Sequence, residues 1–378
     1  MEWVKLGDVA SYINGYSFKP SDWHGTGLPI IRIQNLTNPS AEYNYTNLEV
    51  DDKYHVNRGD ILISWSATLD VFEWEDEPAY LNQHIFKVVF DKIDINKDFF
   101  KYAVKYLLVK SSKNAHGSTM KHLTRKNFEK IKFPKYPIEK QEEIANILNQ
   151  VRILIQTRQD QIQALDDLIE STFVQFINEY EIKNILLDHI FEFIDGDRGK
   201  NYPKRDDLLK EGYCLFLNAK NVTLNGFKFD DLEFISKERD ELLRKGKLKR
   251  GDIILTTRGT VGNVAYYDDS VDFENVRINS GMVILRKKIN INPIYFQEII
   301  RNTHVLNSGM SGSAQPQLPI RNLKKIKVPI IDIELQNQFA AFVEKIEKQK
   351  QILNYSLGDL TNLFDSLMQD AFDGSMTM

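Results

Sequence analysis

The sequence predicts an α+β protein, in which two globular mixed α/β domains are joined by two long helices that pair as an antiparallel coiled coil. Two long segments with heptad spacing of apolar residues predict the helices; one is near the middle and one at the end of the 378-residue chain. Short motifs that recur in the same order before each helix predict the two domains. The chain is therefore interpreted as a tandem internal repeat with pseudo-two-fold symmetry.

The first long helix is predicted from Gln141 to about Asn178, a stretch without Pro or Gly. Its apolar seam, which Arg158 interrupts, comprises Ile144, Leu148, Val151, Ile155, Ile162, Leu165, Ile169 and Phe176. Such alternating spacings of three and four residues are typical of a coiled coil. At 1.5 Å per residue the helix would be roughly 55 Å long. Because a single globular domain does not need such a helix, we expect a domain at each end.

The second long helix is predicted from Leu335 to Phe372, with a similar seam that Lys350 interrupts. Four motifs repeat in the same order in the two halves. NRGDILIS at 57–64 returns as KRGDIILT at 249–256, and GSTMKHLTRKNFEKIKFP at 117–134 returns as GSAQPQLPIRNLKKIKVP at 312–329. LGDVASYING at 6–15 pairs with LDHIFEFIDG at 187–196, and QEEIANIL at 141 pairs with QNQFAAFV at 336. The repeat predicts domain 1 (1–140), long helix 1 (141–180), domain 2 (181–334) and long helix 2 (335–378).

Within each copy, short runs rich in Ile and Val predict strands, and two segments with helical spacing predict helices. The predicted strands are Pro29–Ile33, Asp60–Trp65, Ile85–Phe90, Tyr213–Leu217, Asp252–Thr257 and Met282–Arg286. The predicted helices are Phe99–Leu108 and Ile294–Arg301. The Arg-Gly-Asp triplets at 58–60 and 250–252 are interpreted as turns that lead into strands.

Composition is that of an intracellular globular protein. Hydrophobic residues make up 42% of the chain and charged residues 27%. No apolar run reaches the length of a membrane span, and the N-terminus lacks the apolar core of a signal peptide. A single cysteine, Cys214, allows neither an internal disulfide nor a thiolate metal cluster, and its apolar neighbours favour a buried structural thiol. We therefore expect a cytoplasmic protein.

Charge is unevenly distributed along the chain, although the net charge is only −4. Segment 101–140 contains eleven Lys and Arg against two acidic residues, whereas segment 141–180 contains two Arg against seven acidic residues. A chain that segregates charge in this way can present a basic surface to a polyanion. The alternative, that the basic segment is an ordinary solvated surface, stays open.

The sequence contains no evident catalytic or cofactor site. It lacks a glycine-rich phosphate loop followed by Lys-Ser/Thr, and it lacks a Gly-x-Gly-x-x-Gly motif after a strand; this argues against an ATPase and against a methyltransferase core. The seven histidines are scattered and form no metal-like set. Glu181-Ile182-Lys183 resembles the end of a nuclease carboxylate motif, but no paired Asp precedes it. We expect no catalysis, metal or cofactor in this chain.

Polar loops are the candidate binding sites, because their side chains are of the types that hydrogen-bond DNA phosphates and base edges. The candidate DNA-contacting residues are Ser66, Thr68, Ser118, Thr119, Lys121 and His122 in domain 1, and Thr257, Arg258, Thr260, Ser313, Gln315 and Gln317 in domain 2. Two domains that recognise different DNA sequences would share a common framework and differ in their loop residues. The alternative is that these are ordinary polar loops whose residues have diverged without a binding role.

Five motifs occur in order along the chain, most of them echoed in the second copy: WVKLGDV at 3–9, PIIRIQNL at 29–36, RGDILIS at 58–64, the segment 117–134 and KQEEIANIL at 140–148. With these motifs the chain resembles, across essentially its full length, the specificity subunit of type I restriction–modification systems. In that family each globular part is a target recognition domain and each long helix is a central conserved region. The resemblance implies that each domain reads one half of a bipartite site in the major groove of double-stranded DNA, and that the helix pair sets the spacer.

The resemblance also implies partner subunits. Two modification (methyltransferase) subunits would dock on the helices and methylate an adenine in each half-site after flipping it out of the stack. Restriction subunits would add ATP-dependent translocation and cleavage. S-adenosylmethionine, ATP and Mg are then cofactors of the partners, and this chain is a non-catalytic subunit. Two alternatives stay open: a recognition subunit of a fused restriction enzyme with its own nuclease chemistry, and a coiled-coil adaptor that binds no DNA.

Overall fold

The computed structural model describes residues 2–38, 40–66, 68–113, 124–312 and 316–373 of the chain. They form two compact units of mixed α/β structure. Unit 1 comprises residues 1–160 and 354–378, and unit 2 comprises residues 161–353. The fold class is therefore the predicted one, and each long helix contributes residues to both units.

The first half of the chain alternates short strands with helices and ends in a helix of 42 residues. The strands are β1 (Glu2–Lys5), β2 (Ser11–Asn14), β3 (Leu28–Ile31), β4 (Asn44–Thr46), β5 (His55–Val56), β6 (Ile61–Ser64), β7 (Asp70–Glu73), β8 (Ala79–Leu81), β9 (Ile85–Val89) and β10 (Lys132–Lys135). The α-helices are α1 (Leu6–Val9), α2 (Ile33–Thr37), α3 (Lys97–Lys113), α4 (Arg125–Phe128) and α5 (Ile138–Glu179).

Unit 1 contains two four-stranded sheets. One has the order β2-β9-β6-β7 and is antiparallel, and the other has the order β4-β3-β8-β5 with a parallel pair between β3 and β8. All four residues of β6 are buried. Ile61 and Ile63 pack in the cluster that contains α3 and the ends of the long helices, whereas Leu62 packs toward the second sheet. Burial on both faces explains why this strand is an unbroken apolar run.

The second half of the chain follows the same plan and ends in a helix of 41 residues. Its strands are β11 (Lys183–Leu186), β12 (Phe191–Asp195), β13 (Cys214–Leu217), β14 (Val222–Thr223), β15 (Gly226–Phe227), β16 (Phe234–Ile235), β17 (Asp252–Thr256), β18 (Val264–Tyr267), β19 (Val276–Ile278), β20 (Met282–Lys287) and β21 (Lys327–Ile330). Its α-helices are α6 (Leu187–Ile190), α7 (Lys237–Leu242), α8 (Pro293–Asn302), α9 (Ile320–Leu323) and α10 (Ile333–Asp373).

The first sheet of unit 2 matches that of unit 1 strand by strand, whereas the second sheet has three strands in unit 2 and four in unit 1. The four-stranded antiparallel sheet has the order β12-β20-β17-β18, and a second sheet, β16-β13-β19, again contains one parallel pair, between β13 and β19. In each unit the first strand pairs with the last one before the long helix, as β1–β10 and as β11–β21. The sequence repeat is thus a repeat of topology.

The elements predicted from periodicity are confirmed to within a few residues. The triplets at 58–60 and 250–252 form tight turns, because Gly59 and Gly251 have φ of +87° and +89°, a conformation that favours glycine. Cys214 is buried, as predicted, and burial raises the pKa of its thiol to about 12.

Both long helices are fixed at their start by a buried glutamine. The Gln141 side chain accepts a hydrogen bond from the Asn96 backbone N–H (2.9 Å) and donates one to the Tyr136 carbonyl (2.9 Å). Gln336 makes the same pair of bonds, to Asn292 N–H (3.0 Å) and to the Ile331 carbonyl (2.8 Å). Because a buried amide must be hydrogen-bonded, this glutamine fixes each long helix to the residue just before another helix of its own domain, α3 for Gln141 and α8 for Gln336.

Within unit 2, the long helices run antiparallel. Phe173 of α5 packs against Phe339 of α10, and Asp166 lies beside Lys350, so that contacts farther along one helix fall earlier on the other. The side chain of Lys350 is 12% exposed and forms ion pairs with Asp166 (2.5 Å) and Glu347 (2.9 Å). Burial lowers the pKa of Lys350, but these two hydrogen-bonded carboxylates outweigh it and raise the pKa. The polar interruption of the second seam is therefore an interhelical ion pair.

Candidate functional site

The candidate residues in the described part of the chain lie at one end of the antiparallel four-stranded sheet of each unit, β2-β9-β6-β7 or β12-β20-β17-β18. We call this end, where the third strand in each order turns into the fourth, the hairpin end. In unit 1 the hairpin end carries the described residues of the connection between β6 and β7, among them Ser66 and Thr68. In unit 2 it carries residues 257–263, which connect β17 to β18 and include Arg258 and Thr260. The topological repeat therefore places the two sets at equivalent positions.

Both hairpins are held by a buried hydroxyl at the end of the strand. In unit 1 the hydroxyl of Ser64 donates a hydrogen bond to the Thr68 carbonyl. In unit 2 the hydroxyl of Thr256 donates one to the Thr260 carbonyl and accepts one from the Asn263 backbone N–H (2.9 Å). Only a short β-hydroxyl side chain reaches back across a hairpin in this way, which explains Ser and Thr as the final residue of the repeated strand motif.

A neighbouring loop packs against a glycine at each hairpin end. A Cβ atom added to Gly15 would lie 2.1 Å from the carbonyl oxygen of Asn82, and one added to Gly196 would lie 2.1 Å from the carbonyl oxygen of Asn279. The two glycines occupy the last position of the repeated motifs at 6–15 and 187–196. They bring segment 82–84 in unit 1 and segment 279–281 in unit 2 against the hairpin.

We expect Gly196→Ala to destabilise unit 2 by about 1–3 kcal/mol, because the new methyl group would overlap backbone atoms that cannot move without displacing the loop. The matched control is Gly358→Ala on the exposed face of α10, where an added Cβ meets nothing within 4 Å. That substitution should stabilise the helix by about 1 kcal/mol. Thermal unfolding of the full chain checks both; an unchanged midpoint for Gly196→Ala would contradict the close approach.

In unit 2 three of the candidate residues, Thr257, Arg258 and Gln317, line a cleft of about 160 Å³. Arg258 and Gln317 are bridge partners, and Gln317 also exchanges two backbone hydrogen bonds of 2.9 Å with Ser311. Both side chains are exposed. Thr257 is buried, and its hydroxyl donates to the Gly281 carbonyl (3.0 Å). The geometry therefore makes Arg258 and Gln317 available to a ligand and gives Thr257 the task of fixing the loop that carries them.

In unit 1 the hairpin end is more aromatic. Thr68 is exposed, whereas Ser66 is 8% exposed. The Trp65 ring packs edge-on against His84, with ring centroids 5.2 Å apart, and is stacked on Phe86. His84 is exposed beside the hairpin. Thr68 and His84 are thus the side chains that unit 1 presents at this edge.

Half of the predicted contact set lies outside the described residues, namely Ser118, Thr119, Lys121, His122, Ser313 and Gln315. For Ser66, Thr68, Thr257, Arg258, Thr260 and Gln317, DNA contact stays a prediction. Sequence inspection missed His84 and Arg198, which the fold brings to the hairpin ends. Arg198 was detectable in principle, since it lies two residues after the repeated motif that ends at Gly196.

The described cations of the basic segment 101–140 are mostly ion-paired, although its composition suggests an open cationic surface. Each paired cation lies within ion-pair distance of an acid that is remote in sequence or one helical turn away. The pairs are Lys101–Glu73, Lys105–Asp70, Lys110–Asp373, Arg125–Glu129, Lys135–Glu2 and Lys140–Glu143. Acids contributed by β7 and by α10 neutralise α3, which a count along the sequence cannot detect.

The described residues contain no group of three or more His, Cys, Asp or Glu side chains arranged to hold a metal ion. In this part of the chain no helix has the combination of length and apolar character that crossing a bilayer requires.

The chain shares its sequence family and its fold with known proteins. The family model for the type I restriction modification DNA specificity domain matches twice, at residues 1–166 and 180–358. The EcoBI specificity subunit of Escherichia coli is 24% identical over 99% of this chain and 86% of its own length. The MjaVIII specificity subunit of Methanocaldococcus jannaschii is 25% identical over 93% of this chain and 87% of its own length.

Solved structures support the fold. The S subunit of a type I restriction-modification system from M. genitalium superposes with a TM-score of 0.53 at 17% identity, covering 97% of this chain and 95% of that one. A chain from a structural study of complex assembly in the type I R-M system gives a TM-score of 0.63 at 12% identity, covering 98% and 97%. With both halves of the sequence matched by the same domain, the protein belongs to the type I restriction–modification DNA specificity family, as a specificity subunit and not as a catalytic component of such a system.

Proposed function

We propose that unit 1 and unit 2 each bind one half of a bipartite site in double-stranded DNA, through the major groove, with the hairpin ends as reading surfaces. The observation that carries this proposal is the pairing of a shared scaffold with different side chains. The buried hydroxyl and the glycine contact recur in both units, and Thr68 matches Thr260, but unit 2 exposes Arg258 where unit 1 has the buried Ser66. A recognition protein needs that combination, because the scaffold positions the loops and the loop residues choose the bases.

The exposed side chains of unit 2 are suited to base edges. An arginine can donate two hydrogen bonds to O6 and N7 of guanine, and a glutamine can pair with N6 and N7 of adenine. Arg258 and Gln317 are held next to each other by their backbone bridge. We therefore assign Arg258 and Gln317 to adjacent bases of the half-site that unit 2 reads.

We also propose that the two long helices set the unspecified gap between the half-sites. Both are continuous, over 42 and 41 residues, and both contribute residues to each unit. The buried glutamine at the start of each helix makes a firm junction between the helix and its domain. A gap fixed by protein geometry requires such junctions.

Two modification subunits are the proposed partners of these helices, and restriction subunits are proposed to join the assembly. In unit 1 the helices expose Ile153 (60%), Leu154 (51%), Tyr355 (70%) and Leu363 (48%). Ile153 and Leu154 are adjacent on α5, and large apolar side chains that the fold leaves in water are candidates for contacts with protein partners. We place S-adenosylmethionine, ATP and Mg in the partner subunits, and the assembled complex in the cytoplasm.

The double variant Ile153→Gln and Tyr355→Gln is expected to lose co-purification with the modification subunits, because it removes exposed apolar area while keeping good helix formers. Thermal unfolding of the chain alone should change little, since both side chains are mostly exposed. Thr361→Gln, at an exposed position of α10, is the matched control. Full co-purification of the double variant would place the partner surface elsewhere.

The test of the proposed function is selection of duplexes from a random pool by the full chain together with its modification subunits. We expect enrichment of a two-part motif with a fixed gap. No enrichment would favour the adaptor alternative. Divalent-metal-dependent cleavage by the chain alone would favour the alternative of a fused restriction enzyme.

A further inference from the structure

A short loop of unit 2, residues 243–247, is held against the hairpin end by buried charged groups. The carboxylate of Asp197 accepts hydrogen bonds from the backbone N–H groups of Arg244 (2.6 Å) and Lys245 (3.3 Å). From the other side, the guanidinium of Arg277 donates to the carbonyls of Leu243 (3.0 Å) and Lys245 (2.7 Å). The loop backbone is thus gripped at both its N–H and its C=O groups.

The groups that grip the loop are themselves buried and paired. Asp197, Asp240 and Arg277 are 8%, 2% and 5% exposed. Asp240 is ion-paired with Arg277 and with Lys247. Burial raises the pKa of Asp240, but the hydrogen bonds from these two cations outweigh it and lower the pKa, so the carboxylate is charged at neutral pH. Burying charges is costly, and here the cost serves to fix the path of a surface loop.

What this loop displays is positive charge. Arg244 and Lys245 are exposed, and no ion pair of either side chain exists among the residues that the structure describes. The loop adjoins the hairpin end, since a Cβ atom added to Gly246 would lie 3.2 Å from the Cα of Gly196. In segment 101–140, by contrast, most of the described cations are ion-paired.

A third cation extends this surface into the reading cleft. Arg198 is exposed and directly follows Asp197 in the chain. Its guanidinium forms a long ion pair of 3.3 Å with the Asp195 carboxylate and a hydrogen bond of 3.3 Å to the Ser280 carbonyl. Arg198 also lines the cleft that contains Arg258 and Gln317. The cations therefore extend from the loop 243–247, which we call the pinned loop, to Arg258 and Gln317.

We propose that Arg198, Arg244 and Lys245 form a phosphate-binding patch that anchors the DNA backbone beside the half-site of unit 2. The patch rests on the proposed function. It adds contacts that raise the affinity for DNA without determining which base sequence is preferred. A pinned backbone suits this task, because loop entropy is already lost before the phosphates bind. Phosphate contacts fix the register on which base contacts depend.

Unit 1 has a different residue at the equivalent position. There Tyr16 follows Gly15, where Asp197 follows Gly196. The Tyr16 ring packs against Phe18 and Tyr54, with centroids 4.8 and 5.5 Å away. Ser17 then stands where unit 2 has Arg198. The patch is therefore a feature of unit 2, and its loss should weaken binding irrespective of the sequence of either half-site.

The experiment compares the salt dependence of DNA binding for the wild type and for the double variant Arg244→Ala and Lys245→Ala, each in complex with the modification subunits. Each phosphate contact contributes about 0.9 to the slope of log affinity against log salt. The slope should therefore fall by about 2 in the double variant, and by about 1 in Arg198→Ala. Affinity should fall by the same factor for the selected site and for a scrambled one.

Two controls accompany this experiment. Lys249→Ala removes an exposed cation before the start of β17, at the opposite end of that strand from the hairpin, and should leave the slope unchanged. Arg244→Lys keeps the charge and should keep the slope. Thermal unfolding of each variant should match that of the wild type, since the truncated side chains carry no packing role.

The outcomes separate the patch from the proposed function. If the wild type binds a two-part site and the double variant has the same slope of log affinity against log salt, Arg244 and Lys245 do not bind phosphates. The proposed function then stands. A change in base preference instead of a uniform loss would also overturn the assignment to phosphates. If the wild type shows no preference for any two-part site, the proposed function fails and the patch falls with it.

Discussion

Replacing Arg258 by alanine is expected to relax base preference at one position in only one half of the DNA site. Arg258 is exposed at the hairpin end of unit 2, and its backbone is fixed by the bridge to Gln317 and by the buried Thr257 beside it. A bidentate arginine–guanine pair contributes about 1–3 kcal/mol of discrimination against other bases. Selection of duplexes from a random pool by wild type and variant measures the loss position by position.

Lys249→Ala is the matched control, because it removes a cation from the same unit at the far end of strand β17. It should leave the selected motif unchanged. An equal loss of preference in both half-sites for Arg258→Ala would show that Arg258 contributes to folding or to phosphate binding, and would contradict its assignment to a base edge.

Phe339→Ala is expected to lower the stability of unit 2 by about 3–5 kcal/mol, the usual cost of removing a fully buried aromatic ring. Phe339 is completely buried where α5, α8 and α10 meet. Its ring centroid lies 5.7 Å from that of Phe173, 5.5 Å from that of Phe176 and 6.1 Å from that of Tyr295. The variant therefore opens a cavity at the junction of the long helices with their domain. Denaturant unfolding followed by hydrogen exchange in unit 2 measures the effect.

Tyr355→Ala is the control on the same helix. Its side chain is 70% exposed, so truncation should change the free energy of unfolding by no more than about 0.5 kcal/mol. Comparable losses for the two substitutions would mean that the helix is not packed as described.

The architecture was predictable from the sequence because its signals are local and repeated. The heptad spacing that begins near Ile144 extends over many turns, and the matching motifs at 57–64 and 249–256 recur in register. Strands such as β17 were found because burial on both faces makes their central residues, here 253–255, a continuous apolar run. Periodicity and repetition do not depend on knowing which segments meet in space.

The site was only partly predictable, because its parts meet through contacts between distant residues. Arg258 and Thr260 were found from their loop, but Thr257 proved to be buried under Gly281. The acids that neutralise α3 come from β7 and α10, so the local charge count was misleading.

The pinned loop, residues 243–247, depends most clearly on contacts between residues that are distant in the sequence. Arg277 lies more than thirty residues from the carbonyls that it holds, and Asp197 lies nearly fifty from the backbone N–H groups that it binds. A run of exposed cations such as Arg244-Lys245 is unremarkable in a sequence. Its meaning depends on the buried charges that fix it beside the hairpin end.

In the proposed function, two homologous units within one chain read two separate halves of a DNA site. Sequencing of methylated adenines in the host genome, in the presence and absence of this gene, tests it most directly. We expect a motif that depends on this gene, with two short specified parts, a gap of constant length, and one methylated adenine in each part. A continuous motif, or a methylation pattern that is unchanged when the gene is removed, would contradict the account.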